Sequence, residues 1–285
     1  LPSRWPADVL SLIDETELRK SSLCLPVDAG SGWPRGVCRA GNSAVAPTTL
    51  LWGDSHAQFY TNVMHAEAVR TGQGLLVAAI GGCPPMTGIV LEGRSKAEAC
   101  HELADAVVRQ VATQGIRRVV LAARWAYYVE GSRYGGEAGE PAILSARGVE
   151  NNQSIVETQL EATVKAIAAT GAEVVLLGPV PEQRFKVSPA VVRERVWGQT
   201  LPPAETHADF EVRQRHVMPL LEKLSHLPHV RILYPDRLLC DAQTCAFAHD
   251  GLPLYTDNNH LSIFGLQRIA PMVAEIFQVQ PTASR

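Results

Sequence analysis

Residues 48–56 read Thr-Thr-Leu-Leu-Trp-Gly-Asp-Ser-His, an apolar run that ends in Gly-Asp-Ser. A pattern typical of an amphipathic helix follows over about 55–71. The stretch therefore predicts a buried strand, a turn and a helix, with Ser55 at the turn. A serine in that place is typical of a nucleophile, which needs a base and an orienting carboxylate before it can attack an acyl carbon.

A second motif, near the other end of the chain, supplies the base and the carboxylate. Residues 257–260 read Asp-Asn-Asn-His, and the apolar spacing over 261–277 predicts a helix that packs on the sheet. We predict that Ser55 is the nucleophile, His260 the general base and Asp257 the group that orients the histidine. Each also has a structural alternative: Ser55 as a helix N-cap, His260 as a surface histidine, and Asp257 as the anchor of its own turn.

Further apolar runs alternate with amphipathic stretches. The apolar runs lie at about 48–54, 74–80, 117–124, 172–180 and 230–235, and the amphipathic stretches at about 55–71, 97–115, 152–170 and 208–226. This alternation predicts an α/β fold with a parallel sheet, in which ligands bind at the carboxyl ends of the strands. Ser55 belongs at that edge. Two stretches rich in Gly, Pro and Arg, 130–148 and 186–206, are predicted to be long loops.

Composition bounds the class of protein. The chain is 46% hydrophobic and 19% charged, which predicts a soluble globular domain at 46–285, preceded by an irregular extension or linker at 1–45 that is rich in Pro, Gly and Ser. A net charge of −3 without a basic run argues against a nucleic-acid partner. No apolar stretch reaches the roughly 18–20 residues of a membrane helix. The start at Leu1, without a leader pattern, predicts a processed protein or an excised domain.

Cysteine and histidine spacing gives the redox and metal predictions. The cysteines fall into three local couples: Cys24 with Cys38, Cys83 with Cys100, and Cys240 with Cys245. We predict disulfides and an oxidising compartment, with the local pairing as a preference among many connectivities. The alternative is reduced, buried cysteines in a cytosolic enzyme. Neither cysteines nor histidines show metal-ligand spacing, and we predict no cofactor and no metal.

The two motifs resemble the first and last sequence blocks of the SGNH hydrolase superfamily, over roughly residues 46–277. The resemblance implies a flavodoxin-like three-layer α/β/α sandwich and the same three roles for serine, histidine and aspartate. Three segments carry a narrower resemblance: Leu-Trp-Gly-Asp-Ser-His at 51–56, Gly-Cys-Pro-Pro at 82–85 and Asp-x-x-His-Leu-Ser-x-x-Gly at 257–265. They look like the periplasmic SGNH domains fused behind membrane acyltransferase-three domains, which acylate bacterial surface polysaccharides.

The sequence departs from the superfamily after the third strand. Residues 122–125 read Ala-Ala-Arg-Trp where the family pattern has Gly-x-Asn-Asp, so the asparagine donor to the oxyanion is missing. We therefore predict an oxyanion hole made of the N–H groups of Ser55 and Gly82, with Arg124 or Trp125 as a substitute donor. The alternative role for Arg124 is one half of a buried ion pair.

Four side chains near these motifs are candidates for substrate contact: His56, Trp125, Tyr127 and Tyr128. His56 follows the nucleophile directly and is predicted to contact substrate or to pack beside it, because adjacent helix residues point in different directions and cannot share one reaction axis. The three aromatic residues follow the third strand, where they can stack on a sugar ring or pack in the core.

Together these features predict a serine-dependent O-acyltransferase that places acetyl groups on a bacterial surface carbohydrate such as O-antigen, through an acyl-serine. The resemblance implies a carbohydrate acceptor, an acyl donor delivered by a preceding membrane acyltransferase domain, and a periplasmic location tethered to the inner membrane. The alternatives are a carbohydrate O-acetylesterase, in which water replaces the sugar, and a non-catalytic carbohydrate-binding module with a degenerate site. A cytosolic lipase-like esterase is a third.

Overall fold

A computed structural model describes residues 24–27, 30–34, 36–149 and 151–278 of the chain. The helices are α1 (Ser55–Arg70), α2 (Ala97–Thr113), α3 (Trp125–Glu130), α4 (Asn152–Ala168), α5 (Val187–Trp197), α6 (His207–Arg213), α7 (Val217–Ser225), α8 (Asp236–Leu239) and α9 (Ile263–Phe277). The strands are β1 (Leu25–Pro26), β2 (Val37–Gly41), β3 (Pro47–Gly53), β4 (Gly74–Ala79), β5 (Val90–Leu91), β6 (Arg118–Ala122), β7 (Leu144–Ser145), β8 (Glu173–Leu177), β9 (Glu205–Thr206), β10 (Val230–Leu233), β11 (Thr244–Cys245), β12 (Ala248–His249) and β13 (Leu252–Pro253).

Seven strands form one sheet in the order β1-β2-β4-β3-β6-β8-β10. From β4 to β10 each neighbouring pair is parallel, whereas β2 runs antiparallel to β4. Counted along the chain, the parallel strands stand in the order 2-1-3-4-5, which is the flavodoxin-like order. The chain therefore reverses its direction of winding at β3, whose neighbours are β4 and β6, and Ser55 follows β3 directly.

The central strands are buried on both faces. Leu51 packs in the core shared with α1 and α9, whereas Leu50 and Trp52 pack in the core shared with α2, α4 and α7. All three side chains are at most 1% exposed. A strand covered on both faces has no polar side, which is why 48–54 reads as a continuous apolar run. Helices on both faces of the sheet confirm the predicted three-layer α/β/α sandwich.

The structure differs from two of the predicted elements. The stretch 186–206, predicted to be a loop, contains α5. Pro189 stands in the first turn of that helix, where a missing N–H costs nothing, so the proline does not prevent it. The predicted helix over 208–226 is two helices, because α6 ends at Arg213 and α7 begins at Val217.

The N-terminal region is only partly irregular. Residues 1–23 of the predicted extension lie outside the described part of the chain. Residues 37–41 form β2, which adds an antiparallel strand to the edge of the sheet at β4. Short β1 pairs with β2. The described part of this region therefore contributes to the central sheet of the domain.

The predicted disulfides are confirmed. Each pairing joins the two cysteines of one local couple: Cys24–Cys38, Cys83–Cys100 and Cys240–Cys245. Cys24–Cys38 links the residue before β1 to the second residue of β2, and Cys83–Cys100 links the turn after β4 to the first turn of α2. Among the described helices, none is long and apolar enough to cross a membrane.

Gly53 is the last residue of β3, and the space beside it admits no side chain. A Cβ added there would lie 1.8 Å from the carbonyl oxygen of Ala122, its neighbour on β6. We predict that Gly53→Ala lowers the free energy of unfolding by about 1–3 kcal/mol, because the two strands must separate to admit the methyl group. Urea unfolding followed by circular dichroism measures the change.

Gly81→Ala is the matched control for stability. A Cβ at Gly81 meets nothing closer than the Oε1 of Gln58 at 3.5 Å, an ordinary contact. Equal urea midpoints for the two alanine variants would contradict the claim that a side chain at Gly53 forces β3 and β6 apart.

Candidate active site

Ser55 lies at the carboxyl end of β3 and is the first residue of α1. The N-cap of this helix is Asp54, whose Oδ1 accepts a hydrogen bond from the N–H of His56 at 2.8 Å. The capping role considered for Ser55 therefore belongs to its neighbour. The Ser55 hydroxyl is free to take part in other contacts.

His260 bridges Ser55 and Asp257. Its Nε2 lies 2.8 Å from the Ser55 Oγ, and its Nδ1 lies 2.7 Å from Asp257 Oδ2. The other carboxylate oxygen accepts the backbone N–H groups of Asn259 at 2.9 Å and of His260 at 2.8 Å. The structure thus brings the three predicted residues into one hydrogen-bonded chain, although Ser55 and His260 are 205 positions apart in sequence.

Hydrogen bonds keep Asp257 charged. Burial acts to raise the pKa of Asp257, but the hydrogen bond and charge of His260, with the backbone N–H groups of Asn259 and His260, hold this pKa well below its ordinary value. The carboxylate therefore remains an anion at neutral pH. It can orient the imidazole and stabilise the imidazolium that proton transfer produces.

Aromatic packing fixes the plane of the His260 ring. Phe59 stacks on it with ring centroids 4.6 Å apart and an interplanar angle of 23°. His56 is buried beside it, 5.1 Å from ring to ring, and its Nε2 lies 3.1 Å from Asn259 Oδ1. Burial lowers the pKa of His56, so this second histidine is neutral. His56 is a packed neighbour of the site, which is the alternative that the sequence left open.

A cleft of about 410 Å³ opens at Ser55. Its walls include Asp54, Ser55, Gly81, Gly82, Leu91, Arg94, Ser95, Lys96, Arg124, Tyr127, Tyr128, Arg133, Glu137, Asp257, Asn259 and His260. A larger hollow of about 800 Å³ lies at the opposite, amino-terminal edge of the sheet and contains none of the three bonded residues. The smaller cleft is therefore the one that matters for chemistry at Ser55.

Two backbone N–H groups are available at this cleft. As the first residue of α1, Ser55 has an N–H with no acceptor inside the helix. Gly82 adopts φ 83°, a conformation that favours glycine, and a Cβ added to Gly81 would lie 3.9 Å from the Ser55 Cβ. The turn that carries Gly82 thus packs against the serine. In the described part of the chain, no group of three His, Cys, Asp or Glu side chains is arranged to hold a metal ion.

Comparison with known proteins identifies the family of the chain. A family model described as the SGNH domain (fused to AT3 domains) matches residues 23–275. The chain belongs to this family. No relative among curated proteins matches it.

Three solved structures resemble the chain to different degrees. The periplasmic domain of the lipopolysaccharide acetyltransferase of Salmonella ser. Paratyphi A has a TM-score of 0.59 at 15% identity, over 96% of this chain and 98% of that one. TesA has a TM-score of 0.41 at 11% identity, over 81% of this chain and 97% of its own. A putative acylhydrolase from Bacteroides fragilis NCTC 9343 has a TM-score of 0.42 at 10% identity, over 84% and 89%. The first of these supports the SGNH fold for the chain.

In this SGNH domain the residues after β6 build the wall of the cleft. Tyr128 donates its hydroxyl to Asp54 Oδ2 at 2.9 Å, and the backbone N–H of Arg124 donates to the same oxygen at 3.0 Å. Burial, followed by the Asp54 charge, raises the pKa of Tyr128 well above its ordinary value, so the hydroxyl keeps its proton. Tyr127 also lines the cleft, and its hydroxyl donates to the carbonyl of Glu140 at 2.9 Å.

Trp125 is not at the cleft. Its side chain is 1% exposed, and its indole N–H donates to the carbonyl of Leu177 at 2.8 Å. The prediction that Trp125 donates to the oxyanion or stacks on substrate is therefore wrong. Trp125 is the first residue of α3, and its side chain packs in the hydrophobic core. The position of a residue after a strand does not determine which way its side chain points.

Arg124 belongs to a buried ion-pair network. Its guanidinium pairs with Glu182 and, through Nη2, with Glu137 Oε2 at 2.6 Å. Arg213 pairs with Glu182, and Arg133 pairs with Glu137. Although burial disfavours its charge, the two carboxylates raise the pKa of Arg124. Of the two roles predicted for Arg124, the structure supports the ion pair.

Sequence reasoning missed the partners of Arg124. Glu137 and Arg133 lie in the loop over 130–148, and Glu182 follows β8. The only sequence signal was a set of charged residues in loops that leave the carboxyl ends of neighbouring strands. Nothing in their spacing indicates that they meet.

The Asp54 carboxylate gives a stability prediction. Removing it in Asp54→Ala leaves the Tyr128 hydroxyl and two backbone N–H groups without their acceptor. We expect the free energy of unfolding of Asp54→Ala to fall by about 2–4 kcal/mol. The stability of Asp54→Asn should lie between that of Asp54→Ala and that of wild type, because asparagine retains one acceptor oxygen. Urea denaturation measures all three proteins.

Asp241→Ala is the control. This exposed aspartate also accepts two backbone N–H groups, from Gln243 and Thr244, in water. Its replacement should cost less than that of Asp54, and a loss as large as that of Asp54→Ala would argue against the buried carboxylate as the source of the effect.

Proposed function

We propose that this SGNH domain is a serine-dependent O-acyltransferase that transfers an acyl group, most simply acetyl, to a hydroxyl of a bacterial surface carbohydrate. The observation that carries the proposal is the bonded chain Ser55–His260–Asp257 at the edge of an open cleft. The proposal rests on geometry as well as on residue identity, because His260 lies within hydrogen-bond distance of both Ser55 and Asp257.

In the first half of the reaction, His260 Nε2 takes the proton of the Ser55 hydroxyl as Oγ bonds to the carbonyl carbon of the acyl donor. The carbonyl oxygen becomes an oxyanion. The N–H groups of Ser55 and Gly82 are the donors proposed for it, and the amino-terminal end of α1 adds favourable positive potential. When the bond between the acyl carbon and the leaving oxygen breaks, His260 returns the proton to that oxygen, which leaves an acyl-serine.

In the second half, a sugar hydroxyl gives its proton to His260 and its oxygen bonds to the acyl carbon. The bond from that carbon to Ser55 Oγ then breaks, and the serine recovers the proton from His260. Asp257 remains ionised throughout because its pKa is low, so each imidazolium that forms has an adjacent anion. Arg124 is assigned to positioning the cleft wall, because its guanidinium is already paired with two carboxylates.

The setting of the reaction is inferred from the family. The matched family is described by its fusion to AT3 domains, and the similar Salmonella domain comes from a lipopolysaccharide acetyltransferase. We infer that a membrane acyltransferase domain supplies the acyl group and that the acceptor is a carbohydrate of the cell surface. The disulfides are consistent with an extracytoplasmic location.

Hydrolysis by the same site is the second candidate. The favouring observation is that the cleft at Ser55 is open to solvent, so water can reach the acyl-serine. With water as acceptor the domain is a carbohydrate O-acetylesterase. The two activities share every step up to the acyl-serine, and only the identity of the acceptor separates them.

Acylation of Ser55 is tested by intact-mass analysis after brief exposure to 4-nitrophenyl acetate. We expect wild type to gain one acetyl group or to release nitrophenol continuously, and Ser55→Ala to do neither, because no other hydroxyl in the cleft is bonded to His260. Adding an oligosaccharide separates the activities: acetyl recovered on the sugar indicates transfer, and acetate alone indicates hydrolysis.

Ser43→Ala, at an exposed serine between β2 and β3, is the matched control and should behave as wild type. An acetyl adduct that survives in Ser55→Ala would remove Ser55 as the nucleophile. Folded wild type that neither reacts nor turns over, yet binds glycan as well as Ser55→Ala does, would favour a binding module.

The orienting carboxylate is tested through Asp257→Asn. We expect kcat to fall by on the order of 10³–10⁴, because the amide leaves the imidazolium without its anion and changes the hydrogen bond to Nδ1. In wild type the low pKa of Asp257 keeps the carboxylate ionised at neutral and mildly acidic pH, so its own protonation should not lower the rate there. In Asp257→Asn the amide cannot ionise, so no change of pH restores the anion and the rate should stay low at every pH.

The measurement is the release of nitrophenol across a range of pH. Asp250→Asn is the control. Asp250 Oδ2 lies 3.5 Å from Nε2 of the exposed His249, so this variant also removes a carboxylate beside a histidine, but away from the cleft. An Asp257→Asn enzyme with the wild-type rate and pH profile would show that the carboxylate has no part in the chemistry.

A further inference from the structure

Two cations at the catalytic cleft have no carboxylate partner in the part of the chain that the structure describes. Both Arg94 and Lys96 line the cleft together with Ser55 and Gly82. Among the described residues, the Lys96 ammonium has one hydrogen bond, to the carbonyl oxygen of Gly81 at 3.4 Å. Arg94 is held through Nη2 by neutral oxygens alone.

The contacts of Arg94 fix it in place without cancelling its charge. Its Nη2 lies 2.6 Å from the Tyr127 hydroxyl, 2.9 Å from the carbonyl of Pro141 and 3.2 Å from that of Glu140. Neutral acceptors orient a guanidinium but leave its positive charge for a ligand. A planar, oriented guanidinium is suited to bidentate contact with a carboxylate or a phosphate.

The other charged groups of the cleft are either paired with an opposite charge or buried. Arg124 and Arg133 both pair with Glu137. Asp257 is bonded to His260, and Asp54 accepts from Tyr128 and from backbone N–H groups. Asp54 is 1% exposed, so its charge is not accessible to a ligand. The unpaired charge that a ligand can reach in the cleft is therefore positive, and it lies on the side formed by Arg94 and Lys96.

The segment that carries Arg94 and Lys96 is held next to the turn that carries Gly82. Cys83, which directly follows Gly82, is bonded to Cys100 in the first turn of α2, and Lys96 is the N-cap of that helix. The N–H of Cys100 also donates to the carbonyl of Lys96 at 2.9 Å. A ligand group bound by the cations would thus lie at a fixed place relative to Ser55.

We propose that Arg94 and Lys96 form an anion subsite of the catalytic cleft, which binds a carboxylate or phosphate group carried by the carbohydrate acceptor. The inference rests on the proposed function, because it takes the ligand of the cleft to be a carbohydrate that receives the acyl group at Ser55. The subsite makes the domain selective for acidic sugars over neutral ones.

The test keeps the acyl donor constant and varies the acceptor. With 4-nitrophenyl acetate as donor, transfer is measured to a neutral oligogalactoside, to the corresponding oligogalacturonate and to a galactose phosphate. We expect wild type to prefer an anionic acceptor by roughly tenfold or more in kcat/KM, as charge-assisted hydrogen bonds allow. The preference should shrink between about 0.01 M and about 0.5 M salt, because salt screens the attraction. The preferred anionic acceptor identifies the group as carboxylate or phosphate.

Substitution assigns the preference to the two cations. In the double variant Arg94→Gln/Lys96→Gln, the ratio of kcat/KM for the anionic acceptor to kcat/KM for the neutral acceptor should fall to about one. Lys96→Gln alone should lower the ratio of kcat/KM values part of the way. This variant should fold normally, because the exposed Lys96 side chain has a single long hydrogen bond in the described part of the chain, and it therefore tests the subsite even if the double variant misfolds. Arg109→Gln removes an exposed charge from the outer part of α2 and should keep the wild-type ratio.

Binding gives a readout that does not need turnover. Calorimetric titration of the same three sugars into Ser55→Ala, with and without the two glutamine substitutions, measures affinity alone. Equal affinity of Ser55→Ala for neutral and anionic sugars, together with equal transfer to them by wild type, would overturn the subsite, as would a preference that persists when both cations are replaced. If acylation of Ser55 occurs without any preference, the proposed function stands and the subsite fails. If anionic sugars bind through Arg94 and Lys96 but no acylation occurs, the proposed function fails.

Discussion

The carboxyl group of Asp54 is the interaction on which the geometry of the site depends. One oxygen closes the first turn of α1 through the N–H of His56, and the other accepts from the N–H of Arg124 and the hydroxyl of Tyr128. Asp54 is 1% exposed, and a buried carboxyl group without partners would be costly. The end of β3, the start of α1 and the residues after β6 must therefore converge on it. Ser55, the next residue, is positioned as a result.

A second constraint follows from the first. Arg124 emerges from β6 beside Asp54, and its guanidinium is satisfied by Glu137 and Glu182, which lie in two different loops. A buried arginine is stable only when its charge is matched, so these loops are held to the carboxyl edge of the sheet. The family asparagine expected near this position could supply an oxyanion donor. Here the arginine supports the wall of the cleft, and backbone N–H groups are left as the proposed donors.

The sequence was sufficient to predict the fold and the meeting of Ser55 with His260. Both residues lie in short motifs whose flanking strand and helix are periodic, and a parallel sheet brings such strand ends to one edge. The sequence did not predict the contacts of Glu182, because loops carry no periodicity from which a partner can be inferred. Trp125 was misplaced for a related reason: its place after a strand was clear, but its direction depends on how α3 packs. The α5 helix was missed because the Gly, Pro and Arg content of 186–206 predicted a loop, although a proline in the first turn, such as Pro189, does not prevent a helix.

The oxyanion hole by itself cannot decide between transfer and hydrolysis. Attack by water and attack by a sugar hydroxyl on an acyl-serine pass through the same tetrahedral oxyanion, so a missing donor slows both by a similar factor. Selection must come from how the acceptor is held, because a bound hydroxyl at the acyl carbon reacts as an intramolecular group, whereas water enters from bulk solvent. In the proposed reaction, the groups that choose the product are therefore on the cleft wall, beside Ser55 and His260. On the described part of that wall, the charges left for a ligand are those of Arg94 and Lys96.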